Sequence, residues 1–186
     1  MGGMNLKDVK SVHFIGIGGI GVSAIARMML LKNKEVSGSD VAVSGITEEL
    51  EKLGAKVHLG HKAANIQKAD LIVYSPAIAK NNPELREARR QVIPTFSYPE
   101  VLGLISKDKY TIAVSGTHGK TTTTAMIGAI LKDANLEPNI IVGSLLKDSQ
   151  SNYIFGKGRY FVVEACEYKK SFLNLQPRII VITNID

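Results

Sequence analysis

The sequence has one cysteine, no tryptophan and no apolar stretch approaching the ~20 residues of a membrane-spanning helix. Because Cys166 has no second cysteine to pair with, an internal disulfide is excluded and a reducing compartment is favoured. The first residues lack the apolar segment of a secretory signal peptide. We therefore expect a cytoplasmic protein with no membrane association.

Clustered charge is also missing. Lys and Arg total 23 against 17 Asp and Glu, but the basic residues are scattered and no aromatic-rich basic stretch accompanies them. We therefore expect no nucleic-acid partner. Hydrophobic residues make up 45% of the 186 positions, which is enough for one large or two small globular domains.

Strand and helix patterns alternate along the chain. A short buried strand is predicted at 12–15, and the following helix is predicted to carry four apolar residues on one face: Ile20, Ala24, Met28 and Leu31. This alternation predicts an α/β fold of parallel sheet with helices on both faces. We predict a Rossmann-like domain over residues 1–106 and, after the polar stretch Ser106–Lys109, an incomplete P-loop-type α/β domain over 107–186.

A glycine turn follows the apolar strand predicted at Tyr110–Ser115 and opens a helix. Glycines let backbone N–H groups close on phosphate oxygens, and the helix N-terminus adds partial positive charge. Lys120 can reach the β- and γ-phosphates, and the Thr121 hydroxyl can bind Mg²⁺. Val114 stands where the strict pattern has glycine. The predicted phosphate-binding residues are Gly116, Thr117, His118, Gly119, Lys120, Thr121 and Thr122.

A second glycine motif lies between the first predicted strand and helix. Gly16, Gly18 and Gly21 have dinucleotide-binding spacing, in which Gly21 is expected to let helix and strand pack closely. Asp40 ends the next strand, where its carboxylate can accept ribose hydroxyls. These residues predict a site for a nucleotide diphosphate, and both NAD and a nucleotide sugar fit the pattern.

Together, Phe14–Gly21 and Gly116–Thr122 resemble the Mur ligases of peptidoglycan synthesis. Four further segments follow in the order that this family shows: Val36–Asp40, Gly60–His61, Val163–Glu167 and Thr183–Ile185. Within the family, the chain most resembles the alanine-adding branch and, after it, the tripeptide-recycling branch. The resemblance implies an ATP- and Mg²⁺-dependent enzyme that joins L-alanine to UDP-N-acetylmuramate through an acyl phosphate. Phosphorylation gives the sugar's lactyl carboxylate a leaving group, and the amine of alanine then displaces phosphate.

The resemblance also implies roles for particular residues. Lys120 would stabilise charge on the transferred phosphoryl group, and Thr121 and Glu164 would bind the metal. Glu167 and Asn184 are further candidates beside the same site. The implied UDP-sugar-binding residues are Gly16, Gly18, Gly19, Ile20, Gly21, Ser39, Asp40, His61, Ser75 and Ala77. His118 is expected to shape its loop, His13 to be a tolerated sheet residue, and Cys166 to fill space where many relatives carry Asp.

Length is the main departure from the family pattern, because its members usually run well past Asp186. The segment with a second metal-binding histidine, and the residues that grip adenine and the amino acid, would lie further on. We therefore expect no turnover from this chain alone. We also expect an uncovered apolar strand edge in the second domain, through which copies could associate.

Three other readings stay open. A stand-alone UDP-sugar-binding module would bind without catalysis. An NAD(P)-dependent oxidoreductase would use the first glycine motif but has no place for Gly116–Thr121. A folylpolyglutamate synthetase would share the phosphate loop and the amide chemistry, but it is not expected to begin with a domain like that around Gly16–Gly21.

Overall fold

The computed structural model describes residues 4–66, 68–144 and 151–185. The chain divides into two compact units, Met1–Val101 and Leu102–Asp186. This division falls inside a helix, slightly ahead of the predicted boundary between residues 106 and 107, which stays a prediction. None of the helices within the described ranges is long and apolar enough to cross a membrane.

The first unit is built on a five-stranded parallel sheet, which confirms the predicted α/β class. Along the chain, its elements are β1 (Ser11–Ile15), α1 (Ile20–Leu31), β2 (Glu35–Asp40), α2 (Gly45–Lys52), β3 (Lys56–Leu59), β4 (Leu71–Tyr74), α3 (Pro83–Arg90), β5 (Thr95–Ser97) and the start of α4 (Tyr98–Lys107). The strand order is β3-β2-β1-β4-β5. Every strand therefore points its carboxyl end to the same edge, where ligands of such sheets bind.

The central strand β1 pairs with β2 on one side and β4 on the other. Its residues 12–15 are all buried, as expected for a parallel strand with both faces covered. Helix α1 contains the four residues predicted to share one face, and Ala24 and Met28 are buried, whereas Leu31 is 46% exposed. Leu31 is less covered because α1 ends at that residue.

Asn82 and Pro83 predict a helix start, because Asn can accept from the free N–H groups and Pro suits the first turn, and helix α3 begins there. The Asn82 side chain accepts hydrogen bonds from the backbone N–H groups of Glu84 and Leu85, at 2.9 and 3.3 Å, and Pro83 occupies the first helical position. This confirms the Asn-Pro cap, which satisfies two of the N–H groups left free at a helix start. The cap also fixes Glu84 in the first turn of the helix, where its side chain is fully buried.

The second unit carries a five-stranded mixed sheet of order β10-β6-β9-β7-β8. Its elements are β6 (Tyr110–Ser115), α5 (Lys120–Asp133), β7 (Asn139–Ile141), β8 (Tyr153–Ile154), β9 (Tyr160–Glu164) and β10 (Ile179–Ile182). Among the described strand pairs of this sheet, β8 with β7 is antiparallel and the others are parallel. Ile112, Val114, Ile140 and Val162 form the core, against which Ile127 and Leu131 of α5 pack. Neither β8 nor a 3₁₀ helix at Tyr168–Asn174 is predicted from the sequence.

Candidate functional site

The phosphate-loop candidate lies between β6 and α5. Gly116 and Gly119 have φ angles of +130° and +81°, a region that favours glycine. Gly119 is the N-cap of α5 and supplies no side-chain cap. The first-turn amides of Lys120, Thr121 and Thr122 have no intrahelical acceptor, and no residue in the described ranges accepts from them. The helix start therefore presents three N–H groups that can bind an anion.

Lys120 lies over this loop rather than extending into solvent. Its ammonium nitrogen is 2.5 Å from the carbonyl oxygen of Gly116 and 3.3 Å from that of Thr117. The same nitrogen is 3.3 Å from Glu167 Oε2. The backbone N–H of Glu167 and the ammonium of Lys120 lower the pKa of the Glu167 carboxyl. Glu167, a predicted site residue, is thus an ion-pair partner of Lys120 in this structure.

Thr183 and Asn184 hold the loop from the far side. The Thr183 hydroxyl is 2.5 Å from the His118 carbonyl oxygen and 3.2 Å from that of Ser115. Asn184 Oδ1 accepts a hydrogen bond from the His118 N–H at 3.0 Å. A side chain at Gly116 would clash, because its Cβ would lie 2.1 Å from Thr183 Oγ1. Asn184 therefore shapes the loop, and the His118 amide is already engaged.

The two predicted metal-binding residues lie in elements that flank this loop. Thr121 is half-buried in the first turn of α5, and Glu164 ends β9 beside Val114 of β6. Glu164 Oε1 accepts a hydrogen bond from the Gly143 N–H at 2.7 Å. In the part of the chain that the structure describes, no three His, Cys, Asp or Glu side chains form a metal cluster. One hydroxyl and one carboxylate instead fit Mg²⁺ bound mainly through nucleotide phosphates.

The other candidate loop connects β1 to α1. Gly16 has a φ of +80°, and its Cβ would lie 3.3 Å from Ser75 Cβ, so the turn after β4 lies beside it. The Ser39 carbonyl oxygen accepts hydrogen bonds from the N–H groups of Gly16 and Ile17, at 2.8 and 3.1 Å. Gly19 is the N-cap of α1 and has no side-chain cap. The structure thus brings together predicted residues from three strand ends.

Asp40 braces this turn. Its Oδ2 accepts a hydrogen bond from the Gly18 N–H and its Oδ1 from the Val41 N–H, both at 2.8 Å. Each carboxylate oxygen retains a further lone pair, so ribose hydroxyls can still bind there. Gly21 faces the Tyr98 ring, which would lie 2.7 Å from a Cβ at that position. The third glycine therefore makes room for an aromatic ring, not for the strand as expected.

The remaining predicted residues differ in accessibility. Ile20 is half-buried at the start of α1, and Ala77 is exposed and donates its N–H to Ser75 Oγ at 3.3 Å. His61 is 16% exposed, and its Nδ1 lies 2.9 Å from Ser39 Oγ. Cys166 is a free thiol of intermediate burial, so it is less enclosed than the small buried filler expected.

Sequence reasoning missed a buried polar cluster around Glu84. Glu84 Oε2 lies 2.6 Å from Ser39 Oγ and 3.0 Å from His61 Nδ1, and its Oε1 lies 2.6 Å from Asn65 Nδ2. The fully buried His13 is 3.6 Å from Glu84 Oε1. Burial raises the pKa of Glu84, but the nearby His13 and the hydrogen bonds from Ser39 and Asn65 outweigh it and lower the value to about 2. The sequence around Glu84 does not indicate such a cluster, because acidic residues are common in the first turn of any helix.

Comparison with known proteins gives consistent matches. The model of the Mur ligase family, catalytic domain, matches residues 11–110, and that of the Mur ligase middle domain matches residues 114–186. UDP-N-acetylmuramate–L-alanine ligase of Clostridium tetani is 52% identical over 97% of this chain, which spans 40% of that protein. The solved UDP-N-acetylmuramate–alanine ligase of Thermotoga maritima superposes with a TM-score of 0.83 at 34% identity, covering 95% of this chain and 41% of that one. A UDP-N-acetylmuramate:L-alanyl-γ-D-glutamyl-meso-diaminopimelate ligase from Neisseria gives 0.86 at 28% identity, over 95% and 61%.

Proposed function

Because the chain belongs to the Mur ligase family, we propose that it is part of an ATP-dependent ligase that joins L-alanine to UDP-N-acetylmuramate through an acyl phosphate. The chain spans about 40% of the length of the curated relatives it matches, so the activity proposed is that of the longer protein. The first unit would bind UDP-sugar and the second Mg-ATP. A nucleotide-sugar substrate is consistent with the cytoplasmic location expected from the sequence.

The observation that carries the proposal is the arrangement of Lys120 on its loop. The ammonium group lies over two loop carbonyls, next to a helix start whose first amides have no acceptor in the described residues. Donors placed in this way can bind phosphate oxygens and offset their charge. ATP would supply the phosphoryl group that activates the substrate carboxylate. Thr121 and Glu164 are the residues proposed to hold its Mg²⁺.

The UDP-sugar site is tested by Gly19→Ala. A Cβ at Gly19 would lie 3.3 Å from the Gly16 carbonyl oxygen and 3.9 Å from Val22, so the turn would have to shift by a few tenths of an ångström, and thermal unfolding of the variant checks that the fold is retained. The methyl group would project at an exposed turn where the diphosphate is proposed to approach. We expect UDP-N-acetylmuramate to bind about tenfold more weakly, which corresponds to the loss of one good hydrogen bond. Isothermal titration calorimetry measures this affinity.

Gly45→Ala is the matched control, since a Cβ there meets nothing within 4 Å and the residue starts α2 rather than α1. Its affinity for UDP-N-acetylmuramate should equal that of the wild-type chain. Unchanged affinity in Gly19→Ala, with its thermal stability retained, would contradict the proposed UDP-sugar site.

The tripeptide-recycling ligase is the second candidate, favoured by its slightly higher TM-score of 0.86. Sequence identity points the other way, because that structure is 28% identical and the alanine-adding relative is 52% identical. The fold alone does not separate the two, as they share it. Assaying the longer protein with L-alanine and with L-alanyl-γ-D-glutamyl-meso-diaminopimelate would decide between them.

The exposed strand β10 motivates a proposal about association. It lies at one end of the second sheet, and Ile179, Ile180 and Ile182 are 41–63% exposed. An apolar edge strand of this kind can pair with another chain. We expect the 186-residue chain to associate at high concentration in sedimentation experiments, and Ile180→Lys to weaken this. A monomer at every concentration would contradict it.

A further inference from the structure

One buried carboxylate has no part in the nucleotide chemistry proposed above. Glu84 is fully buried, yet three side chains lie within hydrogen-bond distance of it: Ser39 and His61 at one oxygen, and Asn65 at the other, with His13 Nε2 3.6 Å from that second oxygen. A carboxylate that is ionised can only accept hydrogen bonds, so each of these groups must donate. The hydrogen bonds therefore determine where the protons of this cluster lie.

The cluster determines which nitrogen of His61 carries its proton. His61 Nδ1 lies 3.0 Å from Glu84 Oε2 and 2.9 Å from Ser39 Oγ. Because the Ser39 hydroxyl donates to Glu84 at 2.6 Å, its oxygen faces Nδ1 as an acceptor. Both neighbours of Nδ1 accept, so Nδ1 bears the proton. In the neutral ring, Nε2 is then left as an acceptor, and no hydrogen bond joins it to any residue in the described ranges.

The cluster is joined directly to the first glycine loop. Ser39 accepts hydrogen bonds from Gly16 and Ile17 through its carbonyl and donates to Glu84 through its hydroxyl. Asn65 Nδ2 donates to Glu84 and also, at 3.0 Å, to the Gly60 carbonyl beside His61. One anion thus ties together the loop proposed to bind the diphosphate and the segment that carries His61.

We infer that Glu84 is a positioning residue of the UDP-sugar site, whose carboxylate holds His61 in the Nδ1–H tautomer so that Nε2 accepts a hydrogen bond from the uridine part of the substrate. The inference rests on the function proposed above. Uridine offers two kinds of donor, the imide N–H of uracil and the ribose hydroxyls. If uracil is the donor, the site selects UDP over CDP, because the corresponding ring nitrogen of cytosine carries no hydrogen.

The first experiment measures the tautomer of His61 in the unliganded 186-residue chain by ¹⁵N NMR of the histidine rings. The His61→Ala variant identifies which signals belong to His61. We expect His61 to be the Nδ1–H tautomer in the wild-type chain and to shift towards Nε2–H in Glu84→Gln. Glu87→Gln, on the same helix but outside the cluster, should leave the signal unchanged. An Nε2–H signal in the wild-type chain would overturn the inference, whether or not the variants fold.

Binding is measured next, as a double-mutant cycle with UDP. Glu84→Gln and His61→Ala should each weaken UDP binding about tenfold, and the double variant should bind no more weakly than His61→Ala. A roughly hundredfold, additive loss in the double variant would show that Glu84 does not act through His61. If the wild-type chain binds no UDP, the proposed function fails, but the tautomer experiment still tests the cluster.

Two analogues of UDP separate the possible donors. N3-methyl-UDP lacks the imide hydrogen, and 2′,3′-dideoxy-UDP lacks both ribose hydroxyls. The analogue that lacks the hydrogen donated to Nε2 should bind the wild-type chain at least about tenfold more weakly than UDP does, and this difference should be about tenfold smaller in His61→Ala. If neither difference depends on His61, Nε2 is not an acceptor for uridine and that part of the inference is wrong.

Discussion

Lys120→Ala is expected to weaken ATP binding to the 186-residue chain by roughly tenfold to a hundredfold. The ammonium group lies over the loop between β6 and α5, where phosphate oxygens would replace the carbonyls of Gly116 and Thr117 as its partners. A hydrogen bond to a charged group contributes about 1.5–3 kcal/mol, and about 2.7 kcal/mol corresponds to a hundredfold. Isothermal titration calorimetry with ATP and Mg²⁺ measures the difference directly.

Lys132→Ala is the control for that measurement. It removes an ammonium group from the same helix, but in the last turn of α5 rather than the first. Its effect on ATP affinity should be small, because long-range attraction between exposed charges is screened by salt. If both variants bind ATP as the wild-type chain does, the loop is not the phosphate site proposed here.

The parts of the fold that the sequence predicts well are those where every local signal agrees. Strand β6 was predicted at Tyr110–Ser115, and the structure confirms both ends. An apolar run ends there at a glycine, and two further signals follow: a second glycine and a helix-period apolar pattern. The Asn82 cap was predictable for the same reason, since capping depends only on neighbours in the sequence.

Features that depend on distant segments were not predictable. The Glu84 cluster joins Ser39, His61 and Glu84, which come from β2, a loop and α3 and meet only after the sheet has formed. Strand β8 is two residues long, too short to show a period. The bond from Gly18 to Asp40 gives the predicted ribose ligand a second role, as a brace of the glycine turn, which motif spacing does not reveal.

The candidate site divides along the same line. The two glycine turns and Lys120 follow from motifs, because their spacing in the chain sets their geometry. The contacts that hold the loop between β6 and α5 do not follow from motifs, because Thr183 and Asn184, which contact His118, come just after β10, far along the sequence. Residues proposed to contact ligands were thus easier to name than the residues that position them.

Glu84→Gln is expected to lower the free energy of unfolding at neutral pH and to flatten its dependence on pH in acid. The pKa of Glu84 is about 2 in the folded chain, against an ordinary 4.5. Because the folded-state value is depressed, the carboxylate stabilises the fold fully above about pH 5, and this contribution is lost as the pH falls towards 2. The difference corresponds to about 3 kcal/mol. Urea unfolding at several pH values from about 7 to 3 measures it in both chains.

Glu87→Gln is the control that shows whether the pH dependence of stability comes from the burial of Glu84. Glu87 also has a pKa of about 2 and lies on the same helix. Its value is set first by the Arg90 side chain, which is 72% exposed, and then by Gln91. Ion pairs with solvent-exposed partners contribute little net stability, since solvent and salt screen them. We therefore expect Glu87→Gln to keep nearly the wild-type slope of stability against pH. Equal flattening in the two variants would mean that enclosure of Glu84 by Ser39, His61 and Asn65 gives it no special part in acid stability.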